Sequence, residues 1–527
     1  MLEGIKYREF MRFLTLAAGL GFQGIITGCI PFLFYRPTLE CYEKGPMQQN
    51  YNYFSCNEFD ACNIIHKYQD ENKIFENNPL QSQYEYTDSQ SLVSYLIKFV
   101  VPYEGITSLS IEYNLFCDRK IIEANILAIS LGCQILGSFL ALVIKIPPYT
   151  AQILFITMII LSSFYTFCFN FVVNLYILAG IYCLWNIMYQ YYMSIIYSQI
   201  NQIFSQKIQD FGPSITNVLW VTIVIIYVIG AYFIRDYRTN LGIFACGMSV
   251  IIAITSVYFY DKKLDQELKE KHLQKQQEAD QDEDNKSYIL NLFKHFVLDY
   301  KIISKHKLMK YNSLTWTLCM CTICICYMIC LVLLNTLLGN LYVNTLGHNV
   351  LELIGNSFSG YLIYRKVDIK GSIKNMFILV GFAYSLSLLT SLITSSDGLE
   401  VSNFVIFQRL FPILIGKAIH ELAWTFLYTY INDLIEKDQQ QFATAFGQFS
   451  SLVFCAIVPY YKYIMEYFEL NSFIILPIIC FYTAYCVQKY MHPIDPSNKR
   501  ILLQDDEQSQ LSKPDSLPIE LQEMELR

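Results

Sequence analysis

Long apolar runs, each about the 17–25 residues a helix needs to cross a bilayer, recur along the chain with short polar pieces between them. They predict helices at Phe13–Phe34, Ile126–Ile144, Ala151–Phe169, Leu175–Ile196, Val218–Ile234 and Leu241–Tyr258. A charged stretch from Asp261 to Lys310 interrupts the pattern. Six more runs follow, at Leu314–Leu338, Tyr342–Tyr364, Met376–Ile393, Phe404–Leu427, Phe442–Tyr461 and Phe473–Val487. The alternation of a membrane barrel is absent, and only helices satisfy their own backbone in lipid over such lengths. The expected fold is an all-α membrane protein of twelve transmembrane helices in two six-helix halves. Its expected parts are an N-terminus with helix 1 (1–35), a loop domain on the far side (36–120), the rest of the first half (121–260), a charged linker (261–312), the second half (313–490) and an acidic, disordered tail (491–527).

Composition agrees. Of 527 residues, 54% are hydrophobic and 16% charged, against roughly 25% charged in soluble proteins. A net charge of -7 leaves no basic face, so nucleic acid is excluded as a partner and the lipid bilayer takes its place. Lys6, Arg8, Arg12, Lys145, Lys207, the 261–310 stretch, Arg365, Lys366, Lys370 and Lys374 fall on one side of the membrane. The bias of short loops toward Lys and Arg on the inside then puts both termini in the cytoplasm, or in the matrix of a mitochondrion. The loop from Arg36 to Lys120, with 12 acidic and 7 basic residues, faces the opposite compartment. Helix 1 is too long, and too free of a small-residue cleavage site, to be a removable signal peptide. In the linker, Leu264–Gln277 is rich in helix formers and Leu290–Val297 fits an amphipathic segment on the membrane surface.

No Walker loop, dinucleotide fingerprint, nucleophile elbow or paired zinc motif occurs. The chain is expected to be no enzyme and to hold neither cofactor nor metal. Cys321-Thr322-Ile323-Cys324 lacks a second ligand pair and reads as helix packing.

Five segments resemble, in order, the organic cation/anion transporter branch of the major facilitator superfamily. Phe34-Tyr35-Arg36-Pro37 leading to Cys41 is similar to that family's exit from helix 1 into a cysteine-bearing external domain. Ser110-Ile111-Glu112-Tyr113-Asn114-Leu115-Phe116-Cys117 resembles the "TEWNLVC" element that closes the domain. Ala231-Tyr232-Phe233-Ile234-Arg235-Asp236-Tyr237-Arg238 is similar to the turn between helices 5 and 6, with Tyr237 where Trp is usual. Gly339-Asn340-Leu341-Tyr342-Val343-Asn344 with Leu351-Glu352 resembles the passage from helix 7 into helix 8. Gly416-Lys417, Leu427-Tyr428-Thr429 and Asn432-Asp433 resemble the helix 10 run. The resemblance implies the twelve-helix major facilitator fold, with substrate held at mid-membrane between halves that rock in alternating access.

The departures are as informative. The gating motif after helix 2, Asp-Arg-x-Gly-Arg-Lys in the family, is replaced by Lys145-Ile146-Pro147-Pro148-Tyr149, and Gln199 stands where a helix 4 acid is expected. Its partner motif after helix 8 survives as Arg365-Lys366-Val367-Asp368, with Asp433 on helix 10. No "ESPRWL" follows helix 6. The helix 11 aspartate of cation-carrying members falls on Leu452.

A charge at the centre of a bilayer costs about 3 kcal/mol even on lenient scales, so it normally faces a partner or water. Glu352, Lys417, His420 and Glu421 are the clear cases, and the resemblance puts Glu352 and Lys417 on a central cavity. The competing reading is an internal ion pair, Glu352 to Lys417 or Lys417 to Glu421. His420 is a candidate proton site, or a histidine satisfied by a backbone carbonyl. On helix 4, Trp185, Tyr189 and Tyr192 share a face that could wall a site for an organic cation or merely pack. Gly19, Gly21, Gly24 and Gly28 on helix 1 favour close helix contact. Cys41, Cys56, Cys62 and Cys117 in the external loop are expected to form two disulfides, in any of three pairings. The loop has no Asn-x-Ser/Thr acceptor, and the sequon at Asn285-Lys286-Ser287 lies on the other side. The plasma membrane is the expected location, with the mitochondrial inner membrane as the alternative.

The expected function is a secondary transporter or uniporter of a small organic ion, with Lys417 tilting the choice toward anionic or zwitterionic solutes. The alternative is a degenerate transporter fold serving as a structural or assembly subunit, with partners in a larger membrane complex.

Overall fold

The computed structural model describes residues 6–35, 38–43, 52–56, 62–63, 97–100, 107–113, 115, 119–144, 146–279, 288–333, 340–393, 403–436, 439–468, 470–471 and 473–494. Lys145, Cys117 and the segment beyond Ile494 lie outside them. The first six membrane helices are α1 (Tyr7–Gly28, prolonged by the turn Ile30–Leu33), α2 (Lys120–Val143), α3 (Pro148–Cys168), α4 (Leu175–Ile203), α5 (Gln206–Ile234) and α6 (Tyr237–Tyr258). The second six are α7 (Lys307–Leu333), α8 (Leu341–Tyr364), α9 (Ile369–Ile393), α10 (Asn403–Leu434), α11 (Gln440–Cys455, followed by Val458–Tyr467) and α12 (Leu476–Tyr490). Among the described residues, eight are long and apolar enough to cross a membrane by length and composition alone, whereas α4, α8 and α10 are diluted by the amides and charges they carry inward and α12 is short.

Several helices outrun their apolar windows. α5 begins at Gln206 rather than Val218, α7 at Lys307 rather than Leu314, and α10 continues to Leu434. Backbone hydrogen bonding does not stop where hydrophobicity does, so helices continue past the apolar core into its polar margin. α11 breaks after Cys455, where Pro459 begins a new turn. α6 contains a π-helical turn, Asn240–Ala245.

Within the halves, α1 packs on α5, α2 on α4, α7 on α11, and α10 on α8 and α9. Across them, α5 meets α8 and α2 meets α11. The α1–α5 contact requires glycine: a Cβ on Gly24 would stand 1.8 Å from Trp220 Nε1, and one on Gly21 3.1 Å from the Leu219 carbonyl. The small-residue stripe of helix 1 is thus a packing face.

The segment between α1 and α2 adds a three-stranded antiparallel sheet in the order β2-β1-β3, formed by β1 (Thr38–Glu43), β2 (Asn52–Cys56) and β3 (Ile97–Val100). The register sets Leu39 opposite Cys56, and Cys41 opposite Phe54 on one side and Ile97 on the other. Cys62 is disulfide-bonded. The end of this segment is clasped to the bundle. Arg238 holds Glu112 with both arms of its guanidinium, Nη2 to Oε1 at 2.6 Å and Nε to Oε2 at 2.9 Å, and Tyr237 donates to the same carboxylate at 2.5 Å. Arg238 also donates to the carbonyls of Phe169 and Val172. Two of the family-like segments, 110–117 and 231–238, therefore meet each other in space.

On the side of the chain's first helical residues, Glu9 accepts from Ser205 N at 2.9 Å, and buried Arg12 pairs with Asp265 at 3.0 Å. Asp265 belongs to the linker helix Lys262–Ala279, which is followed by a second, Tyr288–Lys305, leading into α7. The helix-forming stretch 264–277 is thus helical, and one turn of it is fixed against the base of α1.

Candidate functional site

Two helices of the second half carry inward polar stripes at a spacing of three and four residues, the period that puts side chains on one face. On α8 the stripe is His348, Glu352, Asn356 and Ser359, all buried; on α10 it is Lys417, Glu421, Thr425 and Tyr428. A Cβ on Gly355 would stand 2.5 Å from the Ala418 carbonyl, so the two backbones touch one turn from the charges. This approach is what sets Glu352 against Lys417.

Lys417 Nζ lies 3.1 Å from Glu352 Oε2 and is hydrogen-bonded to Glu421 Oε1. The Glu352 contact is an ion pair off the hydrogen-bonding direction, and Oε2 has no hydrogen-bond partner. The ammonium also sits 3.7 Å from the centre of the Tyr327 ring, a cation–π contact. His420 Nε2 lies 3.0 Å from Glu421 Oε1, while its Nδ1 and His348 Nε2 have no partner. Relative exposures are 0% for Lys417, 1% for Glu352, 1% for His420 and 5% for Glu421. The internal ion pairs weighed from sequence are both present, and they do not seal the site. Glu352 and Glu421 line a cavity of about 90 Å³ between the halves, whereas Lys417 stands behind them.

The first half contributes Tyr189, Gln190 and Tyr197 from α4 and Asn217 and Trp220 from α5; the second adds Tyr327, Asn356, Trp424 and Gln448. Leu452 is also in the wall, where the family's helix 11 acid would stand. Of the expected aromatic stripe, only Tyr189 lines the cavity. Trp185 and Tyr192 are corrections: Trp185 donates Nε1 to Gln23 at 2.9 Å and stacks on Phe22, and Tyr192 donates to the Leu16 carbonyl at 2.8 Å and packs on Phe155. Their rings fill the seam between α4 and its neighbours because that is where their polar atoms find partners. Trp220, Tyr327 and Trp424 were not singled out from sequence, since an aromatic residue in an apolar helix looks the same whether it packs or lines a cavity.

On the side of Glu9 and Ser205, the halves close below the cavity through neutral groups. Gln190 and Ser194 meet Gln448 at 2.5 and 2.9 Å, and Gln448 is hydrogen-bonded to Tyr428. Asn217 donates to Thr425 at 2.9 Å, and Thr425 to Asn356 at 2.8 Å. Tyr197 stacks on Tyr428 with centroids 4.1 Å apart, and Asn201 reaches Asn432 at 3.3 Å. Gln199, in the position of the missing acid, donates to the Ile146 carbonyl at 3.1 Å.

Arg365, Lys366, Asp368 and Asp433 stand where the resemblance places the degenerate remnant of the gating motif. Among the described residues, none of them pairs with a charge in the other half. Arg365 lies over Tyr361 of its own helix, Lys366 occupies the left-handed region with φ 54°, Asp368 accepts from Gly371 N at 3.2 Å at the start of α9, and the Asp433 carbonyl accepts from Ile494 N. Lys145 lies outside the described residues.

The family model that describes the major facilitator superfamily matches residues 119–459. No curated protein sequence matches the chain. Among solved structures, the proton:xylose symporter XylE bound to 6-bromo-6-deoxy-D-glucose aligns over 92% of this chain and 96% of its own, with TM-score 0.53 and 11% identity. A bacterial homologue of the iron transporter ferroportin, in an outward-facing state, aligns over 92% of this chain and 98% of its own, with TM-score 0.52 and 9% identity. At these identities the two structures show the shared twelve-helix, two-half fold and nothing of the substrate. With the family model covering more than half of it, the chain belongs to the major facilitator superfamily.

Proposed function

We propose that this major facilitator protein is a secondary transporter or uniporter of small organic cations, working by alternating access around the cavity between its halves. The observation that carries this reading is the placement of Glu352 and Glu421 on the cavity wall with Lys417 behind them. Tyr189, Trp220 and Trp424 offer aromatic faces to the same space, and each ring attracts a cation by roughly 0.5–2 kcal/mol. This reverses the tilt toward anions that Lys417 alone gave, because an ammonium held between two carboxylates is not free to take a third. The cavity also favours transport over a purely structural subunit, for which sealed packing would serve. In this reading residues 36–120 form an extracytoplasmic domain stapled by two disulfides among Cys41, Cys56, Cys62 and Cys117. The 261–312 linker and both termini are cytoplasmic, and the membrane is the plasma membrane.

The test is uptake into proteoliposomes of tetraethylammonium against benzoate. Saturable uptake of the cation, reduced at least tenfold in Glu421→Gln, is expected. Uptake of benzoate without tetraethylammonium would overturn the cation reading. No uptake of either, with the chain recovered in a large stable assembly, would favour the subunit.

A further inference from the structure

The cluster at the cavity wall does not balance its charges. Two carboxylates, Glu352 and Glu421, face one ammonium, Lys417. The other titratable groups turned toward it are Tyr189 and Tyr197 from α4, Cys324, Tyr327 and Cys330 from α7, and the rings of His348 and His420. Cys455 of α11 lines the same cavity, and among the described residues α5 presents only Asn217 and Trp220. None supplies a second fixed positive charge. A net charge in so buried a place is costly unless something neutralises it.

Neither histidine is suited to the task. His420 Nε2 lies 3.0 Å from Glu421 Oε1 and 3.4 Å from Lys417 Nζ, and its Nδ1 has no hydrogen-bond partner; His348 Nε2 has none either. Protonating both nitrogens of either ring would bury an N–H without an acceptor. The carboxylate side differs. Glu352 Oε2 is buried, accepts no hydrogen bond and belongs to a side chain on the cavity wall, so a proton can reach that carboxyl group and leave it.

We propose that the Glu352–Glu421 pair holds one proton while the cavity is empty and releases it when an organic cation enters, so that the protein exchanges the cation for a proton. The inference rests on the cation reading above. The balance is complete: the entering solute brings one positive charge, the O–H bond of one carboxyl breaks, and its proton passes to water on the side to which the cavity is open. Lys417 stays charged throughout, paired to whichever carboxylate is ionised.

Proton release by the purified, full-length protein in weakly buffered detergent tests this, with tetraethylammonium as the probe because it cannot carry a proton itself. Binding is followed through the fluorescence of Trp220 and Trp424, and release with a pH dye. The expected result is about one proton per bound cation, with an apparent affinity that weakens about tenfold for each pH unit on the acid side, as linkage of one proton requires. Glu352→Gln is expected to bind more weakly and, at its own saturating concentration, to release none. Fluorescence change without proton release, and with affinity independent of pH, overturns the exchange and leaves the cation reading standing. Absence of both signals from the native protein overturns the cation reading, and the exchange with it.

Discussion

Replacing Lys417 by methionine keeps most of the side chain's length and removes its charge, which isolates the electrostatic part of the cluster. In the folded protein the ammonium lies 3.1 Å from Glu352 and within hydrogen-bonding contact of Glu421, with the lysine fully buried. At an effective dielectric constant of about 20, one such pair at that separation is worth roughly 5 kcal/mol, and breaking a buried pair by removing one partner typically costs about 3–5 kcal/mol. Native proteins are stable by only about 5–15 kcal/mol, so Lys417→Met is expected to lose a large share of the margin. It should melt well below the native protein in detergent, read by tryptophan fluorescence, and express poorly. The triple variant Lys417→Met, Glu352→Gln, Glu421→Gln removes all three charges, and recovery of most of the loss is expected because neutral replacements for a buried ionic group are often no less stable. If Lys417→Met melts with the native protein, or if the triple variant is the least stable of the three, the charges are not buried against one another and the reasoning fails.

Two further outcomes follow from the geometry. Gly355→Val places a side chain against the Ala418 carbonyl, where even a Cβ has only 2.5 Å; overpacking of this kind costs about 1–3 kcal/mol and moves Glu352 away from Lys417, so both the melting temperature and tetraethylammonium affinity should fall, and an affinity equal to native would show that the α8–α10 contact does not set the site. Burial tends to raise the Glu112 carboxyl, but the hydrogen bonds from Arg238 and Tyr237 and the guanidinium charge outweigh it and hold the group below the ordinary carboxylate range. Its contribution is therefore present above the unfolded value of about 4.3 and disappears as pH falls through the lower folded value. With the pair partly exposed, at 17% and 32%, about 1 kcal/mol is a discounted figure. Melting between pH 6 and pH 3 should show that loss in the native protein and not in Arg238→Gln; parallel curves would count against the clasp.

The fold was legible because lipid imposes a coarse rule, apolar runs of a fixed length, that eight helices meet outright and α4, α8, α10 and α12 follow in diluted or shortened form. Glu352, Lys417, His420 and Glu421 were legible for the same reason: a charge in such a run is conspicuous. Periodicity tells which residues share a helix face but not what that face meets. It grouped Trp185, Tyr189 and Tyr192 correctly and left unsaid that only Tyr189 looks into the cavity. The charge of Lys417 and its two candidate partners were visible from sequence as alternatives, and that both hold the ammonium at once was not, because the Glu352 contact depends on Gly355 letting α8 and α10 touch. The small sheet between α1 and α2 was missed where no lipid rule operates, in a loop read for its cysteines and its charge.

The loss of the family's gating charges gains a different meaning beside the neutral contacts that replace them. Gln190 and Ser194 on Gln448, Asn217 on Thr425, Asn201 on Asn432, and Ser214 on the Asn356 carbonyl at 3.1 Å join the two halves on one side of the cavity. Each neutral hydrogen bond is worth about 0.5–1.5 kcal/mol net, so together they supply roughly 5 kcal/mol. This is the size of bias that a solute binding one state about ten-thousand-fold more tightly could overcome. Buried ion pairs would be harder to separate, since parting them leaves charges uncompensated. When the halves part, water can replace each amide and hydroxyl partner. Erosion of the ionic motif is thus compatible with a protein that still switches, closing on hydrogen bonds that water can take over.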